Sequence, residues 1–540
     1  MVYLFKLLRN NFPFIIFLLV LRIEICNSNS LPDSLYSNSK LNATTALLLR
    51  QPYLQTVTET SIIIRWRTNT ATNSIVNFGE NQIYNLQKTD PNLVTEHEVL
   101  LSNLTANTKY YYQVGSSSEI LQGDAQNYFR TAKKVNSTFR VWVTGDFGYG
   151  NANQQIVKNA YKNFVGNSPA DIWLWLGDNA YSNGSDTEYT NNAFGQYPDI
   201  MKNTPFYPAI GNHDYGQVGY QSTAAMATNF PYFSIFSMPK KAEAGGLSSN
   251  TEKYYSYNYG DAHFVVLDSY GSKNDSQSPM YLWLKNDLIQ NQRKWVICYF
   301  HHPPYTKGTH DSDTEVELIN MRTNILPLLE SYNVDLVLGG HSHVYERSHM
   351  LNGHYGMSET FNNSMIKSNF CEENTENYYK NTSQKATIYA VCGVSGFSGV
   401  PTVAANWPHK AMKVNDKVEI GSMILDINKD TLSAKFINGN SVIKDAFLII
   451  KPDVCTVTSI SESKNSGDWN LASTWQCGNI PTITSCVIIN KDHIVNLPIG
   501  KSGSAYKLYL NGLFQNFGNF TFGNGQINSK SGFQTTKSNF

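Results

Sequence analysis

Apolar and polar side chains alternate strictly from Ser61 to Arg67, where Ile62, Ile64 and Trp66 share one face and Arg65 and Arg67 the other. Tyr110, Tyr112 and Val114 repeat the alternation, and the pattern predicts a small β-sandwich over residues 45–133. From 138 to about 452 the pattern changes to short, continuous apolar runs separated by helical or irregular stretches, the signature of a layered α/β domain. The predicted strands are Phe139–Thr144, Ile172–Leu176, Phe206–Ile210, His263–Leu267, Trp295–Phe300 and Leu336–Leu338. Several of them run directly into Gly-Asp, Gly-Asn-His, His-His or Gly-Gly-His-x-His. The carboxyl ends of sheet strands are where α/β folds build ligand sites. Beyond 455 the composition shifts to short strands with Asn and Gly turns, such as Asn511-Gly512-Leu513-Phe514, which predicts a C-terminal β-rich module stacked as a solenoid over 455–540.

At 540 residues the chain exceeds one hydrophobic core, so several domains are expected. A hydrophobic share of 41% excludes wholesale disorder, and zero net charge gives no reason to expect nucleic acid or an anionic membrane as partner. Lys6 and Arg9 precede an apolar run from Phe12 to Leu21, about half the ~20 residues of a membrane span, which reads as a signal peptide over 1–28. Cleavage is expected near Cys26 to Ser30, giving a secreted protein or one delivered to a lysosome-like compartment. Asn42, Asn103, Asn136, Asn183, Asn274, Asn362, Asn381 and Asn519 begin Asn-x-Ser/Thr triplets, in keeping with an exported glycoprotein. Of the cysteines beyond Cys26, Cys298 lies inside an apolar strand and is expected as a buried thiol. The expected bridges are Cys371–Cys392 and one among Cys455, Cys477 and Cys486.

The strand-end residues form a coherent donor set: Asp146 in Gly145-Asp146-Phe147-Gly148, Asp178 in Gly177-Asp178-Asn179-Ala180-Tyr181, then Asn212-His213, His301-His302 and His341-Ser342-His343. Carboxylates, a carboxamide, imidazoles and a phenol suit a pair of hard or borderline metals, and no thiolate is among them. His301 and His302 compete for one ligand position.

The order GDxG, GDxxY, GNH(D/E), a His after an apolar strand and GHxH resembles the purple acid phosphatases of the calcineurin-like metallophosphoesterase superfamily. The resemblance covers roughly residues 45–450, and Leu104-x-x-x-Thr108-x-Tyr110 further resembles the tyrosine corner of fibronectin type III modules, with Ala106 where those carry Pro. It implies a fibronectin type III-like N-terminal domain and a two-sheet βαβαβ catalytic domain. It also implies Fe(3+) on Asp146, Tyr181 and His343. The second ion, Zn(2+), Mn(2+) or Fe(2+), would take Asn212, His301 and His341, with Asp178 bridging. Tyr181 stands in for the His of an Asp-x-His opening, since that position is Gly148, and its phenolate would colour the protein. His213 and His310 are implied as substrate-facing catalytic groups. The implied reaction is hydrolysis of a small phosphate monoester by in-line attack of a metal-activated water, with acidic pH favoured. The alternatives are a phosphodiesterase or nucleotide pyrophosphatase of the same superfamily and an inactive surface-adhesion protein. The oligomeric state is open, a homodimer included.

Overall fold

The alternation at Ser61–Arg67 builds a strand whose Ile62, Ile64 and Trp66 are fully buried. In the computed structural model, which describes residues 45–535 apart from 368–375, 381–384, 398–401, 452–458, 491, 511, 524–526 and 530–532, this strand belongs to an all-antiparallel unit. There β1 (Leu48–Gln55) pairs with β2 (Ile62–Gly79), which pairs along its length with β3 (Leu86–Leu101) and, in its second half, with β4 (Lys109–Gly115). Two short strands, β5 (Ile120–Gln122) and β6 (Tyr128–Arg130), flank β4. Tyr110, Tyr112 and Val114 face inward, and the Tyr110 hydroxyl accepts from the Thr105 amide at 3.1 Å, which closes the expected corner despite Ala106. The expected signal segment lies outside the described residues.

A second region follows with β7 (Phe139–Thr144), β8 (Ile172–Trp175), β9 (Phe206–Pro208), β10 (Tyr255–Tyr259), β11 (Ala262–Val266), β12 (Trp295–Tyr299) and β13 (Leu336–Gly339). Its remaining strands are β14 (Tyr345–Ser348), β15 (Asn377–Tyr379), β16 (Ile388–Cys392), β17 (Met412–Asp416), β18 (Gly421–Asn428), β19 (Thr431–Asn438) and β20 (Ile443–Ile450). They form two sheets, one ordered β15-β20-β19-β18-β7-β8-β9 and the other β10-β11-β12-β13-β16-β14-β17. Parallel neighbours need a crossover. Between β7 and β8 it is the helix Ala152–Val165, capped by Asn151 and stopped at Gly166 (φ 52°). Register then levels the strand ends. Thr144 pairs with Trp175 and Trp175 with Pro208 in one sheet, and Tyr299 pairs with Leu338 in the other. The loops that follow therefore leave both sheets at the same edge.

Cys298 is a buried free thiol, as expected. The Cys371–Cys392 pairing is overturned: Cys392 is also free, at the buried end of β16 in the aromatic and aliphatic core, while Cys371 lies outside the described residues. The spacing of cysteines carries no information about depth, and that is why the pairing failed. Cys486 is disulfide-bonded. In the C-terminal region, Ser459–Glu462, Ser485–Ile489, Lys507–Leu510 and Ile527–Ser529 stack in parallel. Gly467–Asp468, Ile494–Leu497, Leu513–Asn516 and Phe533–Thr535 form a second parallel stack around Trp469 and Trp475. Among the described residues no helix is long and apolar enough to cross a membrane.

Candidate metal centre

Each sheet delivers part of the predicted donor set to the common edge. Asp146, Asp178, Tyr181 and Asn212 follow β7, β8 and β9, whereas His301, His341 and His343 follow β12 and β13. The backbone is bent hard to do this. Asp146, Asp178 and His341 adopt left-handed φ values of 54°, 51° and 65°. Such a conformation costs a non-glycine residue about 1–3 kcal/mol and clusters at functional sites. Gly211 and Gly340 are needed for close approach, because a Cβ there would run into the Asp178 and Asp146 carboxylates respectively.

One cluster centres on Tyr181. Its hydroxyl, with one proton to donate, lies 3.0 Å from Asp146 Oδ1, 3.1 Å from Asp178 Oδ2 and 3.4 Å from His343 Nε2. His343 Nε2 is in turn 3.4 Å from Asp146 Oδ1. Burial, then Asp146 and Asp178, push the Tyr181 phenol well above its ordinary value, so it keeps its proton unless a cation replaces it. The Tyr149 ring stacks on Tyr181 at 3.8 Å.

The second cluster shares Asp178. His301 Nδ1 faces the Leu176 carbonyl at 2.9 Å, which fixes an N–H there and turns Nε2 toward Asp178 Oδ2, 3.1 Å away. Asn212 is held between Gly211 and His213, whose amide donates to Asp178 Oδ1 at 2.9 Å. The His301 and His341 rings lie 5.0 Å apart. Burial alone would lower His301, but Asp178 and Asp146 outweigh it and lift its pKa to about 9. Burial would raise Asp178, and His301, with His213 and His341, holds it below the usual carboxylate range instead. His341 moves the other way, lowered to about 3 by burial and by His310. His302 stays beside the cluster: Ser269 Oγ meets its Nδ1 at 2.8 Å and its ring stacks on Tyr270, while it offers a ligand atom within 4.8 Å of those of His301 and His341, so the geometry leaves the competition between His301 and His302 open.

A metal pair fits these residues. Asn212 Oδ1 is buried without a hydrogen-bond partner, a state that a buried polar atom does not normally tolerate, and His301 Nε2 has the Asp178 Oδ2 oxygen alone beside it, 3.1 Å away. Asp146, Asp178 and His301 offer ligand atoms within 4.8 Å of one another. Asp178 is the atom source common to both clusters.

The two substrate-facing candidates border this centre. His213 Nδ1 meets the Ser182 carbonyl at 2.6 Å, leaving Nε2 3.8 Å from Asp178 Oδ2. His310 Nδ1 meets Glu315 Oε2 at 2.8 Å, with its ring 3.7 Å from that of His341.

Three contributors escaped the sequence reading. Asp214 is fully buried and accepts from Asn179 N (3.0 Å), Asn179 Nδ2 (2.9 Å), the Tyr189 hydroxyl (2.6 Å) and Gly211 N (2.8 Å). It ties the Asp178 loop to the Asn212 loop, and burial with the neighbouring Asp178 pushes its pKa to about 7. Its place directly after Gly-Asn-His was a readable signal. Glu315 accepts from His310 and from the Asp311 amide (2.8 Å) and sits 3.4 Å from His341 Nε2. Burial would raise it, and His310 with His341 holds it low. No motif marks Glu315, and none marks Ser269.

The profile of the calcineurin-like phosphoesterases matches residues 139–345, and that of the purple acid phosphatase N-terminal domain matches residues 50–131. Purple acid phosphatase 13 of Arabidopsis thaliana is 31% identical over 287 residues, 47% of this chain and 50% of that protein. A phosphoenolpyruvate phosphatase of Allium cepa is 28% identical over 270 residues, 47% of this chain and 51% of that protein. The chain thus spans about half the length of the curated relatives it matches. A purple acid phosphatase from yellow lupin (Lupinus luteus) seeds shares the fold with a TM-score of 0.56, 18% identity and 74% coverage of each chain. PhoD does so with a TM-score of 0.51 and 13% identity, over 74% of this chain and 88% of that one. Both profiles fall in order along the sequence, and with the strand-end donors gathered at one sheet edge the chain is similar to the purple acid phosphatases among the calcineurin-like phosphoesterases.

Proposed function

We propose that this chain is a secreted acid phosphatase that hydrolyses small phosphate monoesters at a binuclear Fe(III)–M(II) centre. Asp146, Tyr181 and His343 would hold the ferric ion, and Asn212, His301 and His341 the divalent one, zinc, manganese or ferrous iron. The observation that carries the reading is the position of Asp178, whose Oδ2 lies 3.1 Å from both the Tyr181 hydroxyl and His301 Nε2 and so links the two donor sets. When bound, the metal pair supplies Lewis acidity, activating water and neutralising phosphoryl oxygens.

The chain's own residues do the rest. Asp214 and the left-handed turns hold the donors in place before substrate arrives. His213, with Nδ1–H spent on Ser182 O, presents Nε2 to the phosphoryl group. His310, with Nδ1–H spent on Glu315, presents Nε2 to the leaving oxygen, and the carboxylate beside it stabilises the cation that donates the proton. The C-terminal module, which we read as a β-solenoid, contributes no donor to the centre among its described residues, and the N-terminal unit is read as fibronectin type III-like.

The test is turnover of an aryl phosphate monoester against the corresponding diester by the metal-loaded protein. The monoester should be hydrolysed faster, with activity lost on chelation and restored by iron plus a divalent ion. Preference for the diester would favour the phosphodiesterase alternative.

A further inference from the structure

The loop that carries Tyr181 is gripped from two directions that the reaction itself does not require. Inside the loop, Glu188 gathers four donors: the Ser182 amide at 2.6 Å, the Asn183 amide at 3.1 Å, and the Ser185 amide and hydroxyl at 2.9 and 2.7 Å. From outside, the N-terminal β-unit reaches in. Both carboxylate oxygens of Asp186 are taken by guanidinium groups, Oδ1 by Arg50 of β1 and Oδ2 by Arg67 of β2. Arg50 also donates to Thr190 Oγ1 at 3.1 Å and to Glu96 Oε1 at 2.9 Å, and Arg67 Nε lies 3.3 Å from that same Glu96 oxygen. Arg50 is buried, 1% exposed, yet Asp186 and Glu188 stand on a loop whose Ser182, Asn183 and Ser185 are exposed.

What the grip holds is a single carbonyl. Ser182 O accepts from His213 Nδ1 at 2.6 Å and from Gln217 Nε2 at 2.9 Å. A carbonyl only accepts, so Nδ1 must carry the proton and the acceptor-capable Nε2 must face the metal edge. A charge-assisted hydrogen bond from a guanidinium is directional, and a second guanidinium on the other oxygen removes the remaining freedom of Asp186. Displacing Ser182 by a fraction of its hydrogen-bond length would free the imidazole to rotate.

We propose that Arg50, Asp186 and Glu188 are positioning residues through which the N-terminal unit sets the orientation of His213. This gives the N-terminal unit a part in turnover although it places no side chain on the metals or the substrate. The role assigned to His213 rests on the phosphomonoesterase reading above. The grip on the loop does not.

Two readouts separate the two. Hydrogen exchange of peptides covering 181–190 and 211–217 should quicken in Glu188→Gln, and in Arg50→Met provided it folds, and this needs no activity. Unchanged exchange in Glu188→Gln would overturn the proposal. For turnover of an aryl phosphate, Glu188→Gln should lower kcat by about 10-fold or more, as is typical of residues that orient a functional group. The same change in a His213→Ala background should cost little, because the group being positioned is already gone. Equal losses in both backgrounds would make Glu188 merely structural. If the wild-type, metal-loaded protein failed to hydrolyse the ester at all, the phosphatase reading would fall, and the exchange result would still decide the grip.

Discussion

Replacing Asp214 by Asn changes one atom and tests whether the ligand loops are built as described. The carboxylate receives four donors, Asn179 N and the Tyr189 hydroxyl on Oδ1, Gly211 N and Asn179 Nδ2 on Oδ2. An amide must turn its NH2 toward one of these pairs. Toward Gly211 N and Asn179 Nδ2 it meets two donors. Toward Oδ1's partners it meets one, because the phenol can reverse and accept. The second arrangement wins and leaves the Asn179 amide facing a donor, a loss of about 1–3 kcal/mol. The surviving bonds fall from charged to neutral acceptors, at about 1 kcal/mol each. The hydrogen-bond sum is roughly 3–5 kcal/mol, but burial and Asp178, which raise the Asp214 pKa to about 7, penalise the ionised carboxylate and the neutral amide escapes that penalty, so the loss seen in urea unfolding should shrink as pH rises from about 4 to about 7. Because Asn179 and Gly211 adjoin Asp178 and Asn212, metal affinity or kcat should also drop by about 10–100-fold. A variant that lost less than about 1 kcal/mol and kept its metal affinity would refute the account of Asp214.

His310→Ala should reduce kcat on alkyl phosphates by about 100-fold or more and on aryl phosphates much less, since only the alkoxide needs a proton; equal losses would reassign His310 to phosphate binding. Asp178→Ala should strip both metals while Asn212→Ala strips mainly the divalent one, checked by elemental analysis; two metals retained in Asp178→Ala would remove its bridging role. His97 is buried against Trp66, and burial lowers its pKa to about 4. Its folded pKa lies below the unfolded 6.5, so the unfolded chain binds more protons, and stability present above pH 6.5 is lost as pH falls toward 4. Thermal scans should show a loss of up to about 1.4 kcal/mol per pH unit in that window, flattened in His97→Gln; an unchanged slope would clear His97 of the effect.

Six strands of this region, β7, β8, β9, β11, β12 and β13, were legible because each is a short, buried apolar run, most of them leading into a polar group after glycine or a His pair. Ile62, Ile64 and Trp66 were legible for the same reason of period. What escaped was whatever acts across long separations. Glu315 reaches His341 only after the chain has returned through β13, and Arg50 meets Asp186 from another sheet altogether. Neither pairing leaves a local pattern. The Cys371–Cys392 expectation failed on depth, since Cys392 ends a central strand with its side chain in the core. At Tyr110 the hydroxyl accepts from the Thr105 amide, a contact that Ala106 does not prevent.

The central claim is a two-metal centre in which Tyr181 binds ferric iron, and elemental analysis joined to the visible spectrum of the purified protein tests it most directly. Two metal ions per chain are expected, at least one of them iron, with a visible band that Tyr181→Phe abolishes while the fold persists. A single metal per chain, or a band unchanged by Tyr181→Phe, would contradict it.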